Sequence, residues 1–152
     1  MNFVTLLYPP AEVVTRLDEV LAPVRADRPD LRWSDPARWH VTLCFHGRDD
    51  PGGLPDFSDL VPPTIRLGDS GTFPRVLWMD VHGPLRPLAE RAGAPEDWRP
   101  HLTVARGAGD APWPHLPFDG PEWTVDEIVL VRTGTPTGYE TVVRVPLSTP
   151  ND

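Results

Sequence analysis

Two copies of one tetrapeptide hold the residues best suited to chemistry. Residues 40–43 read HVTL and residues 101–104 read HLTV, so each copy is a histidine, an aliphatic residue, a threonine and an aliphatic residue. On an extended strand alternate side chains point to opposite faces. Each copy therefore presents an imidazole and a hydroxyl together, while its two aliphatic side chains anchor the strand. One copy is a short motif of low specificity. Two copies, 61 positions apart, indicate an internal duplication around a shared centre.

Two histidines and two threonines can cleave a phosphoester without a metal ion. The unperturbed pKa of histidine lies close to neutrality, so His40 and His101 can each serve as acid or base. One imidazole takes a proton from the attacking water or hydroxyl, and the other gives a proton to the leaving oxygen across the phosphorus. The hydroxyls of Thr42 and Thr103 supply fixed hydrogen-bond donors for the phosphoryl oxygens. The pattern predicts a phosphoesterase site.

Length and composition predict one folded globular domain over residues 1–152, with no linker. The 21 prolines favour many short elements over long helices. The formal charge of −8 argues against a broad basic surface for long nucleic acids. All 14 positive side chains are arginines, so a nucleic-acid ligand would be met locally by a few of them.

The chain offers no disulfide framework, targeting segment or metal motif. Cys44 is the only cysteine, which fits a reducing compartment. The apolar run 3–8 is too short for a signal sequence, and no stretch reaches the length of a membrane span. No histidine pair has the spacing of a metal site. We expect a cytoplasmic monomer with no cofactor, no metal and no membrane partner.

The apolar patterns predict short strands and two helices. Proline ends the first strand and opens a helix that runs to about residue 27. No helix follows each strand, so an antiparallel-rich α+β fold is expected rather than a doubly wound parallel sheet. The expected strands are 2–8, 31–33, 39–46, 64–67, 75–81, 101–105, 123–132 and 139–145, and a second helix spans about 85–92.

The doubled motif and its flanks resemble the two-histidine (2H) phosphoesterase superfamily, in the branch of 2′-5′ RNA ligase-like proteins, the RNA 2′,3′-cyclic phosphodiesterases. The first motif lies in the segment WHVTLCFHG and the second in RPHLTVAR. The resemblance extends to the opening NFVTLLYPP, the middle segment GTFPRVLW and the ending DEIVLVRTGTPTGYETV. It covers most of the chain.

The resemblance implies a fold and a mechanism. Two pseudo-symmetric lobes, each an antiparallel sheet with an outer helix, would face each other across a central cleft. His40 and His101 would point into this cleft, and Thr42 and Thr103 would bind the phosphate. In the family mechanism His101 activates water and His40 protonates the leaving ribose oxygen, which gives a 2′-phosphate end.

Two further positions match by their offset from the histidines. Phe45 and Arg106 each lie five residues after a motif histidine. In related proteins the arginine contacts phosphate and the aromatic residue stacks on a base. Strand parity alone would turn both away from the cleft, so these roles require a bulge or an inward-turning strand end. Ordinary core packing is the alternative for Phe45.

Two more residues are candidates for lining the cleft. By strict alternation His46 shares the face of the first motif, which would place it at the cleft rim; the alternative is a solvated strand end. Trp78 lies in the middle of a predicted strand, where it either packs in the core or reaches the cleft floor.

Three functions remain open. The leading hypothesis is metal-independent hydrolysis of RNA 2′,3′-cyclic phosphate ends, with weak reversible 2′-5′ ligation. The second keeps the site but takes a small nucleotide, such as ADP-ribose cyclic phosphate, which the acidic charge favours over a long RNA. The third is a non-catalytic RNA- or nucleotide-binding module, against which the intact pair of motifs argues.

Overall fold

The computed structural model describes residues 1–107, 112–136 and 138–148. Over these ranges the chain forms two antiparallel sheets, two α-helices and a 3-10 helix at Pro36–Arg38. The expected α+β class with two antiparallel sheets is confirmed. The elements are β1 (Asn2–Leu7), α1 (Ala11–Asp27), β2 (Arg32–Trp33), β3 (Val41–Gly47), β4 (Thr64–Phe73), β5 (Val76–His82), α2 (Arg86–Ala92), β6 (His101–Arg106), β7 (Trp123–Thr124), β8 (Glu127–Thr135) and β9 (Gly138–Pro146).

The first sheet has the strand order β3-β1-β8-β9 and carries the first motif. Strand β1 is apolar on both faces because both faces are covered. Leu7 faces the main hydrophobic core, whereas Val4 and Leu6 form a smaller cluster with two valines of β8. Leu6 is paired with Thr42, so this smaller cluster lies on the motif side of the sheet.

The second sheet has the strand order β2-β6-β5-β4-β7 and carries the second motif. Trp78 of β5 is paired with Thr103 of β6, and Asp80 is paired with His101. Paired residues of antiparallel strands project to the same face, so these four side chains are neighbours on the motif side. The opposite face joins the main core through Leu77, Met79, Leu102 and Val104.

The helices follow the predicted pattern. Helix α1 buries Val13, Leu17 and Leu21, which recur on one face at i, i+4 and i+8. Helix α2 ends at Gly93, whose φ of 105° is the left-handed conformation that glycine adopts readily. Within the described residues, no helix is long and apolar enough to cross a membrane.

Two strand predictions were wrong in extent. Strand β4 continues past Leu67 to Phe73, although the added residues include Asp69 and two glycines; pairing with β5 through a bulge stabilises this polar stretch. The stretch 123–132 is divided between β7 in the second sheet and β8 in the first. Each segment pairs with a different neighbour, a tertiary choice that the local apolar pattern does not encode.

Candidate active site

The two motifs are buried in the same alternating way. His40 immediately precedes β3 and His101 begins β6, and these two strands approach each other with Cα atoms within 8 Å. The aliphatic motif residues are fully buried, whereas the histidines and threonines are half-buried. The expected division of each motif into a polar and an anchoring face is thus present in both sheets.

Each histidine ring is held by a backbone carbonyl two residues earlier in the chain. Nδ1 of His40 lies 2.9 Å from the carbonyl oxygen of Arg38, and Nδ1 of His101 lies 2.8 Å from that of Arg99. A carbonyl oxygen can only accept, so in both rings Nδ1–H is the donor. Nε2 is the atom that acid–base chemistry needs, and it then carries either a lone pair or a second proton. The two rings are therefore held through the same nitrogen by equivalent carbonyls.

Each motif strand contains a bulge at the last residue of its motif. Successive residues of β1 are paired with Thr42 and Cys44, which leaves Leu43 as the extra residue. In β6 the residues paired with Leu77 and Trp78 stand on either side of Val104, which is therefore the extra residue. A bulge shifts the alternation of side chains by one position. Residues beyond each bulge therefore change face.

This change of face brings Phe45 and Arg106 to the motif side. Phe45 is paired with Val4, which shares a face with Leu6 and hence with the first motif. Arg106 is paired with Val76, two residues from Trp78 on β5. Phe45 is 62% exposed, so core packing, the alternative for this residue, is wrong.

A cavity of about 310 Å³ joins the two sheets at this point. His40 and Tyr139 line it from the side of the first sheet, and Thr103 and Arg106 line it from the second. An imidazole, a hydroxyl and a guanidinium therefore converge on one volume, which suits an anionic group. Thr42 lies on the same sheet face as His40, and its carbonyl accepts a hydrogen bond of 3.0 Å from the Trp98 indole.

His40 has a perturbed pKa. Burial is the main cause that lowers the pKa of His40 from its ordinary 6.5, while the bond to the Arg38 carbonyl raises it. Electrostatic interactions with His101 and Arg106 lower it further. The free protein therefore favours a neutral His40, and a bound anion would favour its charged form.

Aromatic rings border both histidines, and two of these rings lie at positions that the sequence did not predict. Tyr139 lies with its ring centroid 5.4 Å from that of His40. Phe73 lies 5.1 Å from His101 in an edge-on arrangement. Both residues are on hairpin ends distant in sequence from the motifs, and no local pattern indicates their positions.

Trp78 combines the two alternatives predicted for it. It is only 5% exposed, yet it lies on the motif face with its ring centroid 6.1 Å from that of His101. The guanidinium of Arg99 covers its ring at 4.6 Å. Trp78 thus forms part of the packed wall beside the second histidine.

The expectation that His46 lines the cleft rim is wrong. The bulge at Leu43 places His46 on the opposite face from Phe45, where its Nε2 lies 2.7 Å from the hydroxyl of fully buried Thr5. Its Nδ1 lies 3.7 Å from Sγ of Cys44. Burial lowers the pKa of His46. Strict alternation failed here because it ignored the bulge.

No metal centre is evident near these groups. Across residues 1–107, 112–136 and 138–148, no three or more histidine, cysteine, aspartate or glutamate side chains are grouped as a metal ion requires. The imidazole, the hydroxyl and the guanidinium that line the cavity, together with the neighbouring His101, form a set suited to acid–base chemistry on an anion.

Comparison with known proteins agrees with this geometry. A family model described as "LigT like Phosphoesterase" matches residues 7–78. The chain is similar to an RNA 2′,3′-cyclic phosphodiesterase of Thermus thermophilus, with 31% identity over 166 aligned positions that cover 88% of this chain and 82% of the relative.

Solved structures show the same fold. The protein TT0787 of Thermus thermophilus matches with a TM-score of 0.78 and 28% identity, over 96% of this chain and 97% of that one. E. coli LigT complexed with phosphate matches with a TM-score of 0.72 and 23% identity, over 97% and 98% of the two chains. With its paired histidine motifs in two facing sheets, the chain belongs to the family of LigT-like phosphoesterases.

Proposed function

We propose that this protein hydrolyses 2′,3′-cyclic phosphates, at RNA ends or on nucleotides, to 2′-phosphomonoesters without a metal ion. The observation that carries the proposal is the matched presentation of His40 and His101. Both rings donate Nδ1–H to a carbonyl and keep Nε2 for proton transfer. The name of the Thermus relative, an RNA 2′,3′-cyclic phosphodiesterase, supports the same substrate class.

In the proposed reaction a water molecule attacks phosphorus while Nε2 of His101 takes its proton. The bond from phosphorus to the 3′ oxygen breaks, and that oxygen receives a proton from Nε2 of a charged His40. Two groups with opposite protonation states are required at the same moment, which is why two histidines are needed. The 2′ oxygen keeps the phosphate.

Three side chains are proposed to hold the phosphoryl oxygens. Thr42 and Thr103 each stand two residues after a motif histidine on the same face, and Arg106 reaches this face through the bulge at Val104. Fixed donors of this kind stabilise the charge that develops in the transition state. The phosphate anion also raises the pKa of His40, whose lowered value in the free protein otherwise opposes its role as acid.

The test is turnover of a 2′,3′-cyclic mononucleotide by EDTA-treated protein, followed by phosphorus NMR. We expect the 2′-phosphomonoester as product, with undiminished activity in EDTA. A 3′-phosphomonoester would reverse the assignment of the leaving oxygen. No turnover of the mononucleotide or of a short RNA with a cyclic end would contradict the proposal and leave the non-catalytic binding module.

A further inference from the structure

A second cavity, of about 430 Å³, lies on the motif face of the second sheet, next to the histidine of β6. Trp78 and Asp80 line it from β5, and their cross-strand partners are Thr103 and His101. The cavity therefore begins one strand away from His101. Its volume lies within the range of small-molecule sites.

The floor of this cavity is built from two rings that lie across strand β4. A Cβ on Gly71 would come within 2.2 Å of Cη2 of Trp78, and a Cβ on Gly68 within 2.3 Å of Nε2 of His82. Only glycine at these positions allows both rings to lie against the strand. The bulge in β4 beside Gly68 belongs to the same local arrangement.

The upper surface of the floor is open to solvent. Arg99 covers the ring of Trp78 at 4.6 Å, and its own side chain is 54% exposed. The side chain of His82 is 48% exposed. Asp80 stands between them, with a carboxylate oxygen 3.8 Å from each. Guanidinium planes and aromatic rings are the surfaces on which unpaired bases stack.

One further cation stands at the edge of this floor. Arg66 lines the cavity and pairs with Asp119 at 3.0 Å, but the Asp119 side chain is 90% exposed. Such exposed pairs are weak, so a phosphate can replace the carboxylate. The cavity lining holds three carboxylates, those of Asp69, Asp80 and Asp119, beside two arginines, which suits one base with one or two phosphates rather than a long polyanion.

We propose that this cavity binds a second nucleoside, joined through phosphate to the 5′ oxygen of the ribose that carries the cyclic phosphate. The inference rests on the proposed function and names its substrate class. Arg99 and His82 provide the stacking surface, and Arg66 meets the linking phosphate. A dinucleotide end of RNA places a nucleoside there through one phosphate, and ADP-ribose cyclic phosphate places its adenosine there through a diphosphate.

The test compares kcat/KM for three substrates: a 2′,3′-cyclic mononucleotide, a dinucleotide with the same cyclic end, and ADP-ribose cyclic phosphate. Stacking and one phosphate contact predict that at least one of the two larger substrates is preferred over the mononucleotide by about tenfold or more. Preference for the dinucleotide identifies an RNA end, and preference for ADP-ribose cyclic phosphate identifies a small nucleotide.

Variants of the cavity residues test whether the preference for the larger substrate arises in the cavity. His82→Ala and Arg66→Gln should each lower the ratio of the two kcat/KM values towards one, with the mononucleotide as the internal reference. Arg16→Gln removes the same charge from the exposed face of α1 and should leave the ratio unchanged. Asp119→Asn frees Arg66 and should raise the ratio, which keeps the test informative if a cavity variant fails to fold.

The two possible failures are distinguishable. Equal kcat/KM for all three substrates in the wild-type protein would overturn the second-nucleoside site while the phosphodiesterase activity stands. A preference that His82→Ala and Arg66→Gln both leave intact would also overturn it. No turnover of any substrate would remove the proposed function itself, and this inference with it.

Discussion

The two lobes share one backbone plan and differ in the side chains placed on it. Both motifs have a carbonyl-bound Nδ1 and a bulge at their fourth residue. At the equivalent position beyond the bulge, the first lobe has Phe45 and the second has Arg106. His40 is bordered by Tyr139 and has a lowered pKa, whereas His101 lies against Phe73 and Trp78.

This difference makes a site built from two matched motifs asymmetric. Proton transfer needs the same ring presentation twice, and hydrogen bonds within each motif segment secure it in both lobes. In the proposed function, phosphate contact and substrate stacking need different groups, and the matched positions hold an arginine and a phenylalanine. The bulges matter because they bring both of these positions to the reacting side.

The largest expected effect comes from removing a motif histidine, the feature that both lobes share. His40→Ala and His101→Ala should each lower kcat/KM by about 10²- to 10⁴-fold, the range of general acid–base catalysis. The melting temperature of each should stay near that of the wild type, since both rings are half-buried at a site rather than in the core. His115→Ala, at an exposed position, is the matched control. Near-full activity in either motif variant would show that the two lobes are not functionally equivalent.

The next effect comes from Arg106 and Phe45, the matched positions at which the two lobes differ. Arg106→Gln should lower kcat/KM by about 10- to 100-fold because a charge-assisted contact to phosphate is lost. Phe45→Leu at the matched position should cost only a few-fold, and more for a nucleotide substrate than for one that lacks a base. Steady-state kinetics on both variants decide this. A larger loss for Phe45→Leu would reverse the assignment of charge and stacking to the two lobes.

A smaller effect concerns pH. If His40 is the acid, kcat/KM should fall as pH rises through its pKa, which lies below the ordinary 6.5 in the free protein. Arg106→Gln removes a positive charge that lowers this pKa, so the fall in kcat/KM should move to higher pH. Proton NMR titration of the His40 ring should show the same shift. A kcat/KM that instead falls as pH drops through the pKa of His40 would make His40 the base.

The smallest effect is on stability and compares His40 with His46, which lie on opposite faces of the first sheet. Burial lowers the pKa of each below 6.5 in the folded state, so the unfolded chain takes up these protons first as pH falls. The contribution of the two neutral rings to the free energy of unfolding is full above about pH 6.5 and declines below it. Urea denaturation should give a lower free energy of unfolding at about pH 5.5 than at about pH 7.5, and less so in His46→Gln. A pH-independent free energy would contradict this.

Much of the fold could be predicted from local patterns. Helix α1 has an apolar face with helical spacing between proline signals, and each motif tetrapeptide alternates polar and aliphatic residues. The sequence predicts only the first part of β4. Gly68 and Gly71 weaken a strand locally, whereas here they make room for the rings of His82 and Trp78. That requirement arises from the neighbouring strand and is invisible in the segment itself.

The placement of the candidate site residues was predictable at the motifs and not at the borders. His40, Thr42, His101 and Thr103 could be named from a repeated pattern. The bulges could not, so His46 was assigned to the wrong face and Phe45 to possible core packing. Tyr139 and Phe73 reach the histidines from hairpin ends, and only the tertiary arrangement of the strands brings them there.

The central claim is that both motifs act on one phosphate, and a double-mutant cycle tests it most directly. The measurement is kcat/KM for a 2′,3′-cyclic nucleotide with the wild type, His40→Ala, His101→Ala and the double variant. Groups that act as one unit are strongly non-additive, so the double variant should be about as slow as either single one. Losses that multiply, so that the double variant falls by the product of the two single effects, would contradict a shared centre.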